Sequence, residues 1–263
     1  MRAYLERSRD RPLEVRILQN TKRPRSLDKS KLSILISHAH RWEKLHITDD
    51  GSINLLRRLL GLRALWPNLQ LPALKELHLD VDDYSTSYYT EDWVLPDLQG
   101  LIVTGDIPKF NSRLPVRVFR LEACHWDRHP QIISESGFIR LFSLLRSFDN
   151  LQEVSLDFER ISIESIPWQL STAPIHFPNL RIFSIRAPFN GPEDEGSLYS
   201  LFNHSNFVAP VLEKLTVSPP RELERSRRML LHLFAGRGSI ATLRKLHFEW
   251  EKEMYTKPLL PVT

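Results

Sequence analysis

Cys124-His125 with His129 looks superficially like a set of metal ligands. Zinc takes about four ligands at set spacings, and one cysteine beside two histidines falls short. No metal is expected. His38 and His40 sit two apart at the end of a helical pattern, so they point to different faces and read as surface or helix-end residues. Gly236-Arg237-Gly238-Ser239 comes nearest to a phosphate-cradling loop, but it follows a helical stretch, where glycine is the usual terminator. With nine glycines in 263 residues, there is little material for such loops. The chain has no Walker loop, dinucleotide fingerprint, G-x-S-x-G elbow or H-E-x-x-H. A Ser/His/Asp triad assembles in space rather than along the chain, and none stands out. The residues therefore read as a non-enzyme without a cofactor.

What remains is the chemistry of contact. Tyr84, Tyr88, Tyr89 and Trp93 lie in an acidic segment over 81–93. Tyr and Trp make good interface anchors, so this loop either touches a protein partner or folds as an acidic insertion against the edge of the molecule. Charge is uneven: residues 1–31 hold ten basic and four acidic side chains, leaving 26 basic and 28 acidic for the remainder. Lys22-Arg23-Pro24-Arg25 could attract nucleic acid, but Glu6, Asp10, Glu14 and Asp28 interleave with the basic residues, and a solvated basic face is the better reading. The single Cys124 excludes an intramolecular disulfide and suits a reducing compartment. Asn203-His204-Ser205 matches a glycosylation sequon, but the start MRAYLERSRDRP lacks an apolar signal core, so an intracellular chain, cytoplasmic or nuclear, is expected. No 18-residue apolar run suggests a membrane span.

These groups are carried by a repeat. LPALKELHLD places Leu74, Leu77 and Leu79 in the pattern L-x-x-L-x-L after Pro72. It recurs at Leu98, Leu101, Val103; Leu151, Val154, Leu156; Leu180, Phe183, Ile185; Leu212, Leu215, Val217; and Leu243, Leu246, Phe248. Weaker copies are Trp42, Leu45, Ile47 and Val116, Phe119, Leu121. The steps between copies run from 18 to 35 residues, averaging about 29, near the upper end of leucine-rich-repeat periods. A unit of this size cannot bury its own apolar face, so copies must stack. We therefore expect an α/β fold: one irregular leucine-rich-repeat solenoid over 1–263. It would have a curved parallel sheet, with helices or irregular returns on the convex side. The slot where the usual pattern has Asn or Cys holds Asp50, Asp82, Asp106, Cys124, Glu159, Pro188, Pro220 and Glu251, which predicts variable turns.

The last two apolar residues of each copy share one strand face, and the residue between them faces away. That puts His46, His78, Ile102, Arg120, Ser155, Ser184, Thr216 and His247 on the concave face. Two positions on come Thr48, Asp80, Thr104, Glu122, Asp157, Arg186, Ser218 and Glu249. Such a face either binds a partner protein or is an ordinary hydrated sheet surface, and binding is favoured.

The other elements follow from spacing. A short helix fills 1–11, and Pro12 to Ile17 alternates as a first strand. Leu32, Leu35, Ile36 and Ala39 mark a helix capped by Ser26 or Asp28. Ile53, Leu56, Leu59 and Leu60 mark a second, before Trp66-Pro67. Phe138, Leu141, Phe142, Leu145 and Phe148 mark a third. Shorter helices are predicted over 197–204 and 223–234, with loops at 165–178 and 187–196. The step from Leu98 to Val116 leaves no room for a helix.

YLERSRDRPLEVRIL, ISHAHRWEKLHI, LPALKELHLD, IPWQLST and FPNLRIFSI, across residues 4–185, resemble the repeat region of fungal-type F-box/leucine-rich-repeat proteins. Later repeats continue the theme to about residue 250. The resemblance implies substrate recognition for a ubiquitin ligase, with an N-terminal F-box docking on the Skp1-type adaptor and the chemistry left to partner enzymes. No F-box pattern is visible in this chain, so adaptor binding is expected only through an upstream F-box. The alternatives are a stand-alone repeat scaffold and a nucleic-acid-associated protein acting through the basic N-terminus.

Overall fold

Alternating apolar residues in each repeat become a strand with one buried face. A computed structural model describes residues 2–18, 29–49, 69–81, 90–105, 107–122, 131–133, 135–157, 161–163, 176–186, 208–218 and 242–248. The chain runs α1 (Arg2–Arg7), β1 (Leu13–Leu18), α2 (Lys29–Ile36), a 3-10 turn (Ala39–Arg41), β2 (Trp42–Asp49), β3 (Glu76–Val81), β4 (Gly100–Gly105) and β5 (Val118–Glu122). It continues with β6 (Gln131–Ile133), α3 (Glu135–Arg146), β7 (Glu153–Asp157), β8 (Ile161–Ile163), β9 (Ile182–Arg186), β10 (Lys214–Ser218) and β11 (Lys245–Phe248).

Nine strands form one open sheet in the order β1-β2-β3-β4-β5-β7-β9-β10-β11, and every pairing is parallel. All eight paired-apolar segments lie in it, with β1 as the ninth strand. β6 and β8 pair separately, also in parallel. That small pair was not foreseen: three residues are too few to show a period.

Register is held by like residues meeting across the whole sheet. Val15, Leu45, Leu77, Leu101 and Phe119 align from β1 to β5, and Val154, Phe183, Leu215 and Leu246 continue the row. A one-residue slip would turn this row to solvent, which fixes the register. The turns add a second lock. Leu74, Leu98, Leu180 and Leu212 each donate a backbone N–H to the residue three before: Leu71, Leu95, Phe177 and Ala209. The second residue of each turn is proline: Pro72, Pro96, Pro178 and Pro210. Proline suits that position because its φ is already set and its missing N–H is not needed. The residue before each proline is buried, so the working unit is three residues longer than L-x-x-L-x-L.

Each later strand then begins the same way. Gln99 and Gly100 donate to the Lys75 carbonyl at 2.8 and 2.9 Å, and Arg117 and Val118 donate to Gln99 at 2.8 and 3.0 Å. The arrangement repeats with carbonyls of Arg117, Gln152, Arg181 and Glu213. Similar turns thus stack despite unequal intervals. The short β4–β5 interval has no helix at 107–117; Ile107, Leu114 and Val116 are buried there instead.

The buried apolar side chains of the described residues form one cluster against a single face of the sheet. From α3, Leu141, Leu144 and Leu145 enter it, followed by Phe148, while Phe142 is half-buried. The Phe138 and Leu32 side chains are not described, and Ser26, Asp28 and the predicted helices over 53–60, 197–204 and 223–234 lie outside the described residues. Ile34, Leu35 and Ile36 of α2 are half-buried against the same core, and Ala39 is buried. At the far end, β11 is poorly covered, with Leu246 38% exposed.

Candidate functional site

The opposite face of the sheet is the candidate site. His46 meets His78 in register, with Arg16 before them and Ile102 and Arg120 after. Ser155, Ser184, Thr216 and His247 extend the row through β7, β9, β10 and β11. A second row holds Leu18, Thr48, Asp80, Thr104 and Glu122; Asp157, Arg186 and Ser218 align further on. Most of these side chains are half-buried or exposed, but Thr104 and Thr216 are buried, at 8% and 6% exposure.

A third row escaped the sequence reading: Glu14, Lys44, Glu76, Gly100, Val118, Glu153, Ile182, Lys214 and Lys245. The signal was present. Each residue sits two positions before the one between the paired apolar residues, hence on the same face.

Trp93 requires a correction. At 7% exposure it belongs to the buried cluster, so its ring packs inward and does not offer a loop contact. Tyr84, Tyr88, Tyr89 and Glu249 lie outside the described residues, as do Cys124, His125, His129, the 236–239 segment, Lys22 to Arg25 and Asn203.

The most ordered feature of the face is a stacked pair of imidazoles. The His46 and His78 rings lie 4.0 Å apart between centroids and 10° from parallel. His46 Nε2 is 3.0 Å from Thr48 Oγ1, and His78 Nε2 is 3.5 Å from Thr104 Oγ1. Parallel rings engaged by separate hydroxyls do not converge on a common point. Among the described residues, no group of three or more His, Cys, Asp or Glu could hold a metal.

Burial, aided by the neighbouring His46, lowers the His78 pKa from 6.5 to about 4, against an opposing pull from Glu76. The folded ring therefore binds fewer protons than the unfolded one between those values. Stability is full above about pH 6.5 and falls as pH drops toward 4. Solvent screens a half-buried ring, so the loss is about 1 kcal/mol, well under the full shift. Chemical denaturation at pH 7.5 and pH 4.5 should show His78→Gln losing about that much less than the parent on acidification. Superimposable pH profiles for the two proteins would remove this role.

Ion pairs tie the rest of the face together. Lys44 Nζ reaches Glu76 at 2.9 Å, Arg120 reaches Glu153 at 3.1 Å, and Arg186 lies 3.5 Å from Asp157. The Glu76 carboxylate beside Lys44 raises the lysine's pKa. Away from this face, where β7, β9, β10 and β11 begin, a cavity of about 550 Å³ is lined by Gln152, Arg181, Glu213 and Arg244 with neighbouring turn residues. Arg181 and Glu213 approach to 3.8 Å there. No helix among the described residues is long and apolar enough to cross a membrane. No protein-family model, curated protein or solved structure matches this chain.

Proposed function

We propose that this chain is a non-enzymatic recognition module, built as an irregular leucine-rich-repeat solenoid, that holds a protein partner on the open face of its sheet. One observation carries the reading: two in-register rows of mainly polar and charged side chains cross nine parallel strands, a third such row runs over β1 to β5 and again over β7 to β10, and the apolar rows are buried on the other side. Parallel sheets are ordinarily covered on both faces. A broad polar face on such a sheet suits contact with another protein, as in stacked-repeat proteins. The role that fits best is the substrate-holding part of an F-box/leucine-rich-repeat protein.

The test is quantitative capture of partners from cells of the source organism, comparing the parent with Arg120→Glu/Ser155→Arg at the centre of the face and Arg113→Glu at a turn. Partners bound through the face are retained by the parent and the turn variant and lost from the face variant, with all three folded by circular dichroism. Equal recovery with all three proteins sinks the reading. Co-recovery of the ubiquitin-ligase adaptor supports the ubiquitin role, and partner capture without it points to a scaffold.

A further inference from the structure

The face is not uniform along the sheet. From β1 to β7 each described cation and imidazole of the face has a partner within it: Arg16 with Glu14, Lys44 with Glu76, His46 with Thr48, His78 with Thr104, and Arg120 with Glu153. Asp157 and Arg186 form the last such contact. Beyond it the pattern changes. Lys214 and Lys245 stand opposite each other in register, and Thr216 stands between Ser184 and His247. Among the described residues, neither lysine has a hydrogen-bonded or ion-paired partner. The Thr216 hydroxyl is buried and has no hydrogen-bond partner. The described face positions of β9, β10 and β11 include no carboxylate.

Like charges directly opposite on neighbouring strands destabilise a sheet. Two ammonium groups stand side by side, and no acceptor for either is found among the described residues. We propose that the β9–β11 end of the open face docks an acidic peptide segment of the partner protein, with carboxylates bridging Lys214 and Lys245. This rests on the face being the partner-binding surface.

Size and surroundings favour a peptide over nucleic acid. Three strands about 4.8 Å apart span roughly 10 Å, the length of about three extended residues. Glu153, Asp157 and Glu122 on the adjoining strands would repel a phosphate backbone running on along the face.

The experiment uses the full chain and fluorescence anisotropy with a labelled hexaglutamate peptide, and a labelled single-stranded DNA dodecamer as the rival probe. Lys214→Gln/Lys245→Gln should weaken hexaglutamate binding about tenfold, the effect of two modest charge contacts. Arg113→Glu should leave it within about twofold, as expected of a paired, exposed turn residue. Because the lysine variant removes a repulsion, its melting temperature should equal or exceed the parent's. Unchanged binding by the lysine variant, or equal loss in the turn variant, overturns the proposal. So does DNA binding as tight as the peptide's with the same dependence on the two lysines. If the lysine variant still captures partners that Arg120→Glu/Ser155→Arg loses, the acidic-peptide inference fails and the recognition reading stands.

Discussion

Phe119→Ala will destabilise the protein by about 3–5 kcal/mol, among the largest effects a single side chain can have here. Phe119 is fully buried in β5, and its ring lies 5.7 Å from that of Phe148, tilted by 44°. Two features make the site intolerant of truncation. β5 follows the shortest interval of the repeat, which has no helix of its own to settle into a void. Its other side is fixed by the β7 pairing, which aligns Phe119 with Val154. A cavity there can collapse only slightly, so the loss of burial and the void itself both add to the cost. Phe119→Leu, which keeps most of the volume, should cost about 1–1.5 kcal/mol. Leu246→Ala occupies the same row on poorly covered β11, at 38% exposure, and should cost about 1 kcal/mol or less. Urea titrations of the three variants measure this gradient. Stacked repeats can lose all-or-none unfolding, so a second transition in Phe119→Ala would itself mark the break between the two halves. Equal costs at Phe119 and Leu246 would mean that β5 is not central to the core.

The gradient follows from a feature the sequence displays openly. Paired apolar residues two apart, recurring at each interval, specify both a strand and the face it buries. Stacking is then the only way to cover that face. This is why eight strands, their parallel pairing and the rows through His46 and Thr48 could be read before any coordinates. The same logic applied one step earlier along each strand would have supplied Lys44, Glu76, Lys214 and Lys245. They were missed because the repeat was anchored on its apolar residues, whereas strand ends are set by the backbone bonds of the turns.

Trp93 failed for a different reason. Four aromatics within ten residues of an acidic stretch look like one surface loop, but composition does not reveal direction. Trp93 lies just before the Leu95-Pro96-Asp97-Leu98 turn, and the backbone bonds between the 69–71 and 93–94 segments draw it inward: Leu71 N–H to the Val94 carbonyl, and Val94 N–H to that of Leu69. These are pairings between repeats, invisible to a reading of one repeat at a time. The His46–His78 stack was legible only in part. The spacing set the two residues on one row, but their adjacency depended on β2 pairing with β3 and on a register that only long-range packing decides.

Arg41→Ala should cost about 2–4 kcal/mol, an effect that charge counting could not have shown. Arg41, the last residue of the 3-10 turn before β2, is 7% exposed. Its Nε and Nη2 donate to the Arg11 carbonyl at 3.1 and 2.8 Å, Nη2 also donates to Ser8 Oγ at 2.8 Å, and Nη1 lies 3.5 Å from His38 Nδ1. One planar guanidinium thus ties the segment after α1 to the residue that leads into β2. Ser8 in turn donates to the Leu5 carbonyl at 2.8 Å, which links the cation to the one described side chain of α1 that is buried in the core. Removing Arg41 leaves the Arg11 carbonyl short of donors and unpins the first strand from β2, the one strand it pairs with among the described residues. Lysine cannot take over: its single ammonium lacks the fork that reaches the carbonyl and the hydroxyl together, so Arg41→Lys should recover less than half the loss. Ser8→Ala removes one acceptor of several and should cost about 0.5–1.5 kcal/mol. Hydrogen exchange separates this role from a general loss of stability. In Arg41→Ala, the amides of β1 should exchange at least about tenfold faster while those of β7 and β9 keep their protection, because end units of a stacked array can open without the middle. Uniform acceleration across the sheet, or none in β1, would show that the cation does not hold the N-terminal end in place.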